Sequence, residues 1–440
     1  MRKLPVIILL FCSFIWATPV SDIGALQVVG NEIRGENGEV AHLRGMSLYW
    51  SQSRVAKDFY NENTVSYLAE DWNVNVIRAA MAVSANWADD EKGYIADPVT
   101  QKNRINAVVQ AAIDLGIYVI IDFHEHNAGD FQSQAITFFQ EMATQWGTHP
   151  NVIYEIWNEP IGNSDENGAG TYWNNTIKPY SEALISAIRA IDPDNLIVLG
   201  TPFYDQYVDV ATANPVSNET NVAYAFHFYA SEASHEALKS RVETALGRNK
   251  AVFVTEWGFS PASGSGTIDQ TASQNWLQWL ETNNLSSCNW SLSDIDESSA
   301  ALVKATQSWN DATGGMVVTH NVPVNGPWTD SHLTTSGKLI RDYLRAHNSP
   351  YTPPNSLLSF DRAKRPLLYR QGSGLVVEFG ASSWNRVELL SADGTVLAAQ
   401  NRRGTEQQVF LSPAVSVRGV VFVHFSGPQG HRTIPMAWVD

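Results

Sequence analysis

The sequence predicts an α/β chain: a (β/α)8 barrel of the TIM type followed by a small all-β C-terminal module. Three observations carry this reading. Between about residues 24 and 350, eight strand-length apolar runs alternate with segments of helical period. Most of those runs are continuous, as expected of parallel strands covered on both faces. Beyond the Pro-rich stretch His347-Asn348-Ser349-Pro350-Tyr351-Thr352-Pro353-Pro354-Asn355 the pattern shifts to short strands between turn residues. The expected division is a leader at 1–17, a barrel at 18–348, a linker at 349–356 and a β-sandwich-like module at 357–440.

The strand candidates are Ala41 to Ser47, Val74 to Ala80, Ile117 to Phe123, Val152 to Trp157, Leu196 to Gly200, Val222 to Phe228, Val252 to Trp257 and Ser287 to Leu292. Among the helices, Asn103 to Leu115 aligns Ile105, Val108, Val109 and Ala112 on one face and stops at Gly116. A second stripe, Ile177, Tyr180, Leu184, Ile188 and Ile191, is ended by Asp192-Pro193. An open doubly wound sheet is disfavoured, because no Gly-rich phosphate fingerprint follows the first strand. Leu26 to Val40, with Gly30-Asn31 and Asn37-Gly38 turns, reads as a hairpin capping the barrel floor. In the module the strands are Leu375 to Phe379, Val387 to Leu390, Val396-Leu397, Val409 to Leu411 and Val420 to Val423.

The chain has 440 residues with 29 Lys and Arg against 45 Asp and Glu, a formal net charge of −16 at pH 7. Phosphate binding rests on clustered cations, so the barrel is not expected to bind nucleic acid. Residues 351–440 reverse the balance, with nine Lys/Arg and six Asp/Glu. Such a basic tail suits an anionic cell surface or an acidic partner. Met1-Arg2-Lys3, an apolar run from Leu4 to Trp16 and then Ala17-Thr18-Pro19 have the layout of a secretory signal cut after Ala17. A secreted, monomeric protein is therefore expected. No later stretch approaches the roughly 20 apolar residues of a membrane span. Loss of Cys12 with the leader leaves Cys288 alone, so no intrachain disulfide is expected.

In such a barrel the functional loops follow the C-terminal strand ends. The polar residues there are Arg78 after strand two, Asp122-Phe123-His124-Glu125-His126 after strand three and Glu155-Ile156-Trp157-Asn158-Glu159-Pro160 after strand four. His227-Phe228-Tyr229 follows on strand six, Thr255-Glu256-Trp257-Gly258 on strand seven and Asn289-Trp290-Ser291 on strand eight. Glu159 and Glu256 then face each other across the mouth. Paired carboxylates are what glycoside hydrolysis requires, one protonated to serve the leaving oxygen and one ionised to meet the oxocarbenium-like centre. Trp290 at a strand end fits stacking on the apolar face of a sugar ring. His124-x-His126 has the spacing of metal ligands on one strand, but no matching His-Lys-Asp set accompanies it, so neither metal nor cofactor is expected.

Leu43-Arg44-Gly45-Met46-Ser47, Asn75-Val76-Ile77-Arg78, Ile121-Asp122-Phe123-His124, Ile156-Trp157-Asn158-Glu159-Pro160, His227-Phe228-Tyr229, Thr255-Glu256-Trp257-Gly258 and Asn289-Trp290-Ser291, in this order, resemble glycoside hydrolase family 5, the family of the retaining cellulases. The resemblance covers roughly Ala25 to Asn348. It implies an endo-β-1,4-glucanase with Glu159 as acid/base and Glu256 as nucleophile. It further implies that Asn158 contacts the sugar 2-hydroxyl, that Arg78 and Tyr229 align Glu256, and that His124 and His227 bind hydroxyls and support the carboxylates. Trp290 would stack a ring beside the cleavage point, and Trp50, Tyr94 and Tyr204 fall at aromatic subsite positions. Two departures bear on affinity. Ser47-Leu48-Tyr49-Trp50 stands where many relatives carry His-Gly, and Ile295 where many carry a substrate-binding Lys, with Asp296 and Glu297 expected to form a solvated acidic loop. Mannan, mixed-linkage glucan and xyloglucan remain alternative substrates, and an inactive carbohydrate-binding barrel is the non-enzymatic alternative. No long insertion roofs the cleft, which suggests an open groove and internal cleavage. Trp384, Trp438 and Tyr369 are candidate sugar-facing aromatics of the C-terminal module, although attachment to a cell surface or a cellulolytic complex is favoured for it.

Overall fold

The computed structural model describes residues 18–84, 92–162, 165–310 and 315–353, and beyond them 367–371, 374–378, 386–391, 395–401, 408–413, 419–427 and 430–438. The expected leader lies outside these residues, as do part of the linker and Trp384. The chain divides into two compact units, Met1–Pro353 and Pro354–Asp440.

Eight parallel strands close the first unit into a barrel: β1 (Arg44–Leu48), β2 (Val76–Ala82), β3 (Tyr118–His124), β4 (Val152–Glu155), β5 (Ile197–Leu199), β6 (Val222–Tyr229), β7 (Val252–Gly258) and β8 (Ser287–Leu292). β8 pairs with β1, placing Cys288 beside Gly45 and Trp290 beside Ser47. Gly45 permits the close β1–β2 approach, since a Cβ there would lie 1.7 Å from the Val76 carbonyl oxygen. One principal helix follows each strand: α1 (Glu62–Trp72), α2 (Pro98–Leu115), α3 (Gln132–Trp146), α4 (Lys178–Arg189), α5 (Val208–Ala213), α6 (Lys239–Gly247), α7 (Gln270–Thr282) and α8 (Thr335–His347).

Local chemistry sets these boundaries. The Asp97 side chain accepts from the Thr100 amide, so α2 starts one turn before the expected Asn103, with Pro98 in its first turn. It ends at Gly116, which adopts the left-handed conformation with φ 66°. α4 buries Tyr180, Leu184 and Ile188, but Ile191 of the expected stripe lies beyond the helix end and is exposed.

The floor is apolar. The hairpin strands Gln27–Val29 and Glu32–Arg34 bring Leu26 and Ile33 into one cluster with Val76, Tyr118, Ile120, Ile153, Val198, Ala225, Phe253 and Cys288. These residues lie toward the N-terminal strand ends, and burial pushes the Cys288 thiol pKa up. After β8 the chain makes a second hairpin, Thr306–Asn310 with Gly315–Thr319, a feature the sequence did not disclose. His320 ties its base to the mouth, with Nδ1 2.7 Å from Asp294 Oδ2 and Nε2 3.1 Å from Asp58 Oδ2.

Among its described residues the second unit has two antiparallel sheets, one of three strands and one of four. All five expected strands occur there. Leu367–Gln371 and Gly430–Trp438, which lack an uninterrupted apolar run, are additional. Alternate residues Val387 and Leu389 are buried on one strand, Val409 and Leu411 on another.

Candidate active site

The side chains that gather at the C-terminal mouth come from all eight strands or the loops that follow them. Arg78 lies in the middle of β2 rather than at its end, fully buried inside the barrel. Its guanidinium is the hub of the site. Nε and Nη2 donate to the two oxygens of Glu155 at 2.7 and 3.0 Å, and Nη1 donates to Glu256 Oε2 at 2.9 Å. Nη2 also donates to Asn158 Oδ1 at 2.7 Å and lies 2.9 Å from Asp122 Oδ2. One cation thus serves three buried carboxyls. Burial opposes the Arg78 charge, but Asp122, Glu155 and Glu256 outweigh it and lift the Arg78 pKa well above its ordinary value. Burial likewise pushes the carboxyls of Asp122 and Glu155 up, each to about 7, against the pull of Arg78.

Glu256, on β7, accepts from Arg78 at one oxygen and from the Tyr229 hydroxyl at the other, the latter at 2.8 Å. Glu159 occupies a different environment. It follows β4 with a left-handed backbone, φ 51°. Its amide donates to Asp205 Oδ2 at 2.8 Å, and the other Asp205 oxygen accepts from the Thr201 amide. Glu159 Oε1 lies 3.0 Å from His227 Nδ1, and Oε2 lies 3.6 Å from His126 Nδ1. Among the described residues, no Lys or Arg touches it directly. Burial first, then the charges of Glu256 and Asp205, raise its pKa well above the usual carboxylate range. An oxygen of Glu159, an oxygen of Glu256 and a ring nitrogen of His227 all lie within 4.8 Å of one another.

The remaining expected residues separate into a wall and an exception. Trp290 packs with Tyr229 and Ala80, and Tyr49 and Trp50 rest against this cluster. His124 stacks on Trp290 at 5.2 Å between centroids, with Nδ1 2.6 Å from Asp122 Oδ2, and Trp50 meets the His124 ring edge-on at 4.1 Å. Burial lowers the His124 pKa well below its ordinary value. Tyr204, with φ 58°, faces the edge of His126 at 6.0 Å. Tyr94 is the correction. It is 6% exposed and packs edge-on against Phe123 and Phe138, so its ring fills the space behind β3 instead of offering a sugar platform. The two histidines of His124-x-His126 turn to different partners, Asp122 and the Glu159 carbonyl.

One of the two acids expected in a solvated β8 loop departs from that reading. Asp296 is exposed and pairs with Lys304, as a solvated loop residue would. Glu297 is half-buried and accepts from Ser299 Oγ at 3.0 Å; its pKa is raised by burial and by the nearby Glu256. Sequence reasoning also gave no role to Asp122, Glu155 and Thr255, and did not single out Asp205. A usable signal existed for the first two. Both are acids inside apolar strands, as required wherever a barrel strand carries a buried Arg. Asp205 carried none, because an irregular turn with φ 57–58° at Phe203, Tyr204 and Asp205 brings it under Glu159.

Residues 34–296 match the family model Cellulase (glycosyl hydrolase family 5). The chain is similar to an endoglucanase of Clostridium saccharobutylicum, 42% identical over 329 residues, covering 74% of this chain and 66% of the relative. Endoglucanase Z of Dickeya dadantii is 45% identical over 284 residues, 64% of this chain and 62% of the relative. The chain therefore spans just under two thirds of the length of these two relatives. Among solved structures, one from Cytophaga hutchinsonii is similar with a TM-score of 0.67 and 39% identity, covering 76% of this chain and 98% of that one. The catalytic domain of an endoglucanase from Thermobifida fusca gives 0.62 and 30%, covering 75% and 100%. With the closed barrel, the two facing glutamates and the family match over most of the first unit, the chain belongs to glycosyl hydrolase family 5.

Proposed function

We propose that the protein is an endo-β-1,4-glucanase that cleaves internal bonds of cellulose and related β-glucans by double displacement, with Glu256 as nucleophile and Glu159 as acid/base. The observation that carries this is the spacing and asymmetry of the two carboxyls. Oxygens within 4.8 Å of each other favour the short carboxyl separation of retaining enzymes, roughly 5 to 5.5 Å, over the roughly 6.5 to 9.5 Å of inverting ones. Glu256 accepts from a guanidinium and a phenol, partners suited to an anion, whereas half-buried Glu159 sits among acids that raise its pKa and so favour its protonated form.

In the first step Glu256 attacks the anomeric carbon while Glu159 passes its proton to the leaving glycosidic oxygen, giving a glycosyl ester. In the second, water attacks that carbon, Glu159 takes the proton, and the bond to Glu256 breaks. Asn158 Nδ2 is buried without a hydrogen-bond partner among the described residues, which suits donation to the 2-hydroxyl. Trp290, with Tyr49 and Trp50 beside it, offers an aromatic wall for the ring. Glu159→Gln and Glu256→Gln should each lower turnover of carboxymethylcellulose by at least about 10³-fold. Undiminished activity in both variants would refute the assignment.

The same proposal includes export by the N-terminal leader, whose basic start, apolar run and Ala17 support it, and attachment of the basic C-terminal unit to a surface or an acidic partner.

A further inference from the structure

His227 lies on β6 between Glu159 and β7, and its two ring nitrogens have different partners. Nδ1 is 3.0 Å from Glu159 Oε1, and Nε2 is 2.9 Å from Thr255 Oγ1. A neutral imidazole carries one N–H, so the hydrogen-bond chain must fix which nitrogen holds it. The chain continues: the single proton of the Thr255 hydroxyl is donated to Glu155 Oε1 at 2.8 Å. Both Glu155 oxygens in turn accept from Arg78, at 2.7 and 3.0 Å, as an ionised carboxylate does. With its proton committed, Thr255 Oγ1 can only accept toward His227. Nε2 must then be the donor, and Nδ1 is left with a lone pair facing Glu159 Oε1.

We propose that Thr255 and Glu155 are positioning residues for the acid/base: they hold His227 in its Nε2–H tautomer, so that bare Nδ1 accepts the proton of Glu159 and keeps that carboxyl in its acidic form. The inference rests on Glu159 being the acid/base. The reverse tautomer would set Nδ1–H against the Glu159 carboxylate and require Thr255 to donate to Nε2, leaving Thr255 Oγ1 and Glu155 Oε1 as two acceptors at 2.8 Å. An imidazolium is opposed by burial, which lowers the His227 pKa well below its ordinary value. The groups facing Glu159 are Arg78 on β2, Glu155 on β4, His126 after β3, Asp205 after β5, His227 on β6 and Glu256 on β7. Of these, Arg78 alone favours the ionised form by charge, and it is committed to Glu155, Asp122, Asn158 and Glu256. The arrangement serves both halves of the reaction. Once Glu159 has delivered its proton to the leaving oxygen, its anion faces the Nδ1 lone pair, which strengthens it as the base that takes a proton from the incoming water.

Two-bond ¹H–¹⁵N correlation of the full chain labelled at histidine nitrogen, with His227 assigned by the signals lost in His227→Gln, reads the tautomer directly. The expected result at pH 8, above the value of about 7 to which burial lifts Glu155, so that Glu155 is the ionised acceptor of the Thr255 proton, is a protonated Nε2 and an unprotonated Nδ1; a protonated Nδ1, alone or in an imidazolium, overturns the proposal. Thr255→Val, which removes the hydroxyl, should mix the tautomers and lower kcat on cellotetraose about tenfold with KM within about twofold. It should also move the alkaline limb of kcat/KM to lower pH, while Thr255→Ser restores parent behaviour. Parent tautomer and parent pH profile in Thr255→Val would equally overturn it. If Glu159→Gln instead proves fully active while the Nε2–H tautomer persists, the acid/base assignment has failed and the tautomer assignment has not.

Discussion

The two ends of the barrel are built from the same strands and obey opposite rules. At the N-terminal end, Ile120, Ile153, Val198, Ala225 and Phe253 meet the hairpin residues Leu26 and Ile33 in a wholly apolar floor. A few residues further along the same strands, β2 carries Arg78, β3 Asp122 and His124, β4 Glu155, β6 His227 and β7 Thr255 and Glu256, all buried. The floor is held by area removed from water, which is non-directional and tolerant of detail. The mouth is held by directed bonds that must all be satisfied, because each buried charge has lost its hydration. Among the described residues of the mouth the acids outnumber the cation Arg78, and that imbalance raises the Glu159 pKa. Both ends contribute to stability, by different means.

Removing the hub of the mouth should have the largest effect. Arg78→Met strands Asp122, Glu155 and Glu256 without a cation, which should cost about 3–5 kcal/mol of stability and at least about 10²-fold in kcat. The sign with pH is fixed. Asp122 and Glu155 have folded-state pKa values above their unfolded ones, so the folded state binds the extra protons and stability falls as pH rises toward and beyond 7. Denaturant melts of the variant at pH 5 and pH 8 check this, with the larger deficit expected at pH 8. The matching cut at the floor is Phe253→Ala, expected to cost about 3–5 kcal/mol by leaving a cavity. Its kcat per folded molecule and its pH profile should be those of the parent; a shifted profile would mean that the two ends are not separable.

How far this division was legible beforehand differs between the ends. Strand count, order and floor were readable because continuous apolar runs report double-sided burial directly. Glu159, Glu256 and Arg78 could be singled out as charged residues at the ends of such runs, and the alignment role of Arg78 and Tyr229 came from the family resemblance. Tyr94 was misplaced because a ring near a strand end looks the same in sequence whether it faces a groove or the helix behind it, and Phe138 of α3 decides that. The hairpin at Thr306–Thr319 and the turn at Asp205 were not readable, since both depend on contacts with distant loops.

A smaller effect refines the account of the mouth. In Asp205→Asn one of the acid charges raising the Glu159 pKa is gone, so that pKa falls. The alkaline limb of kcat/KM should move to lower pH, read on a substrate with a poor leaving group. An unmoved limb would remove Asp205 from the account.

The central claim, that Glu256 becomes covalently bonded to the sugar while Glu159 handles the proton, is tested most directly by trapping. A 2-deoxy-2-fluoro cellobioside with a dinitrophenolate leaving group slows the second step more than the first and lets the ester accumulate. Proteolysis and mass spectrometry should find one fluorinated disaccharide on the peptide containing Glu256, with inactivation proceeding in step with labelling. A label on Glu159, or hydrolysis with inversion and no label at all, would contradict the account.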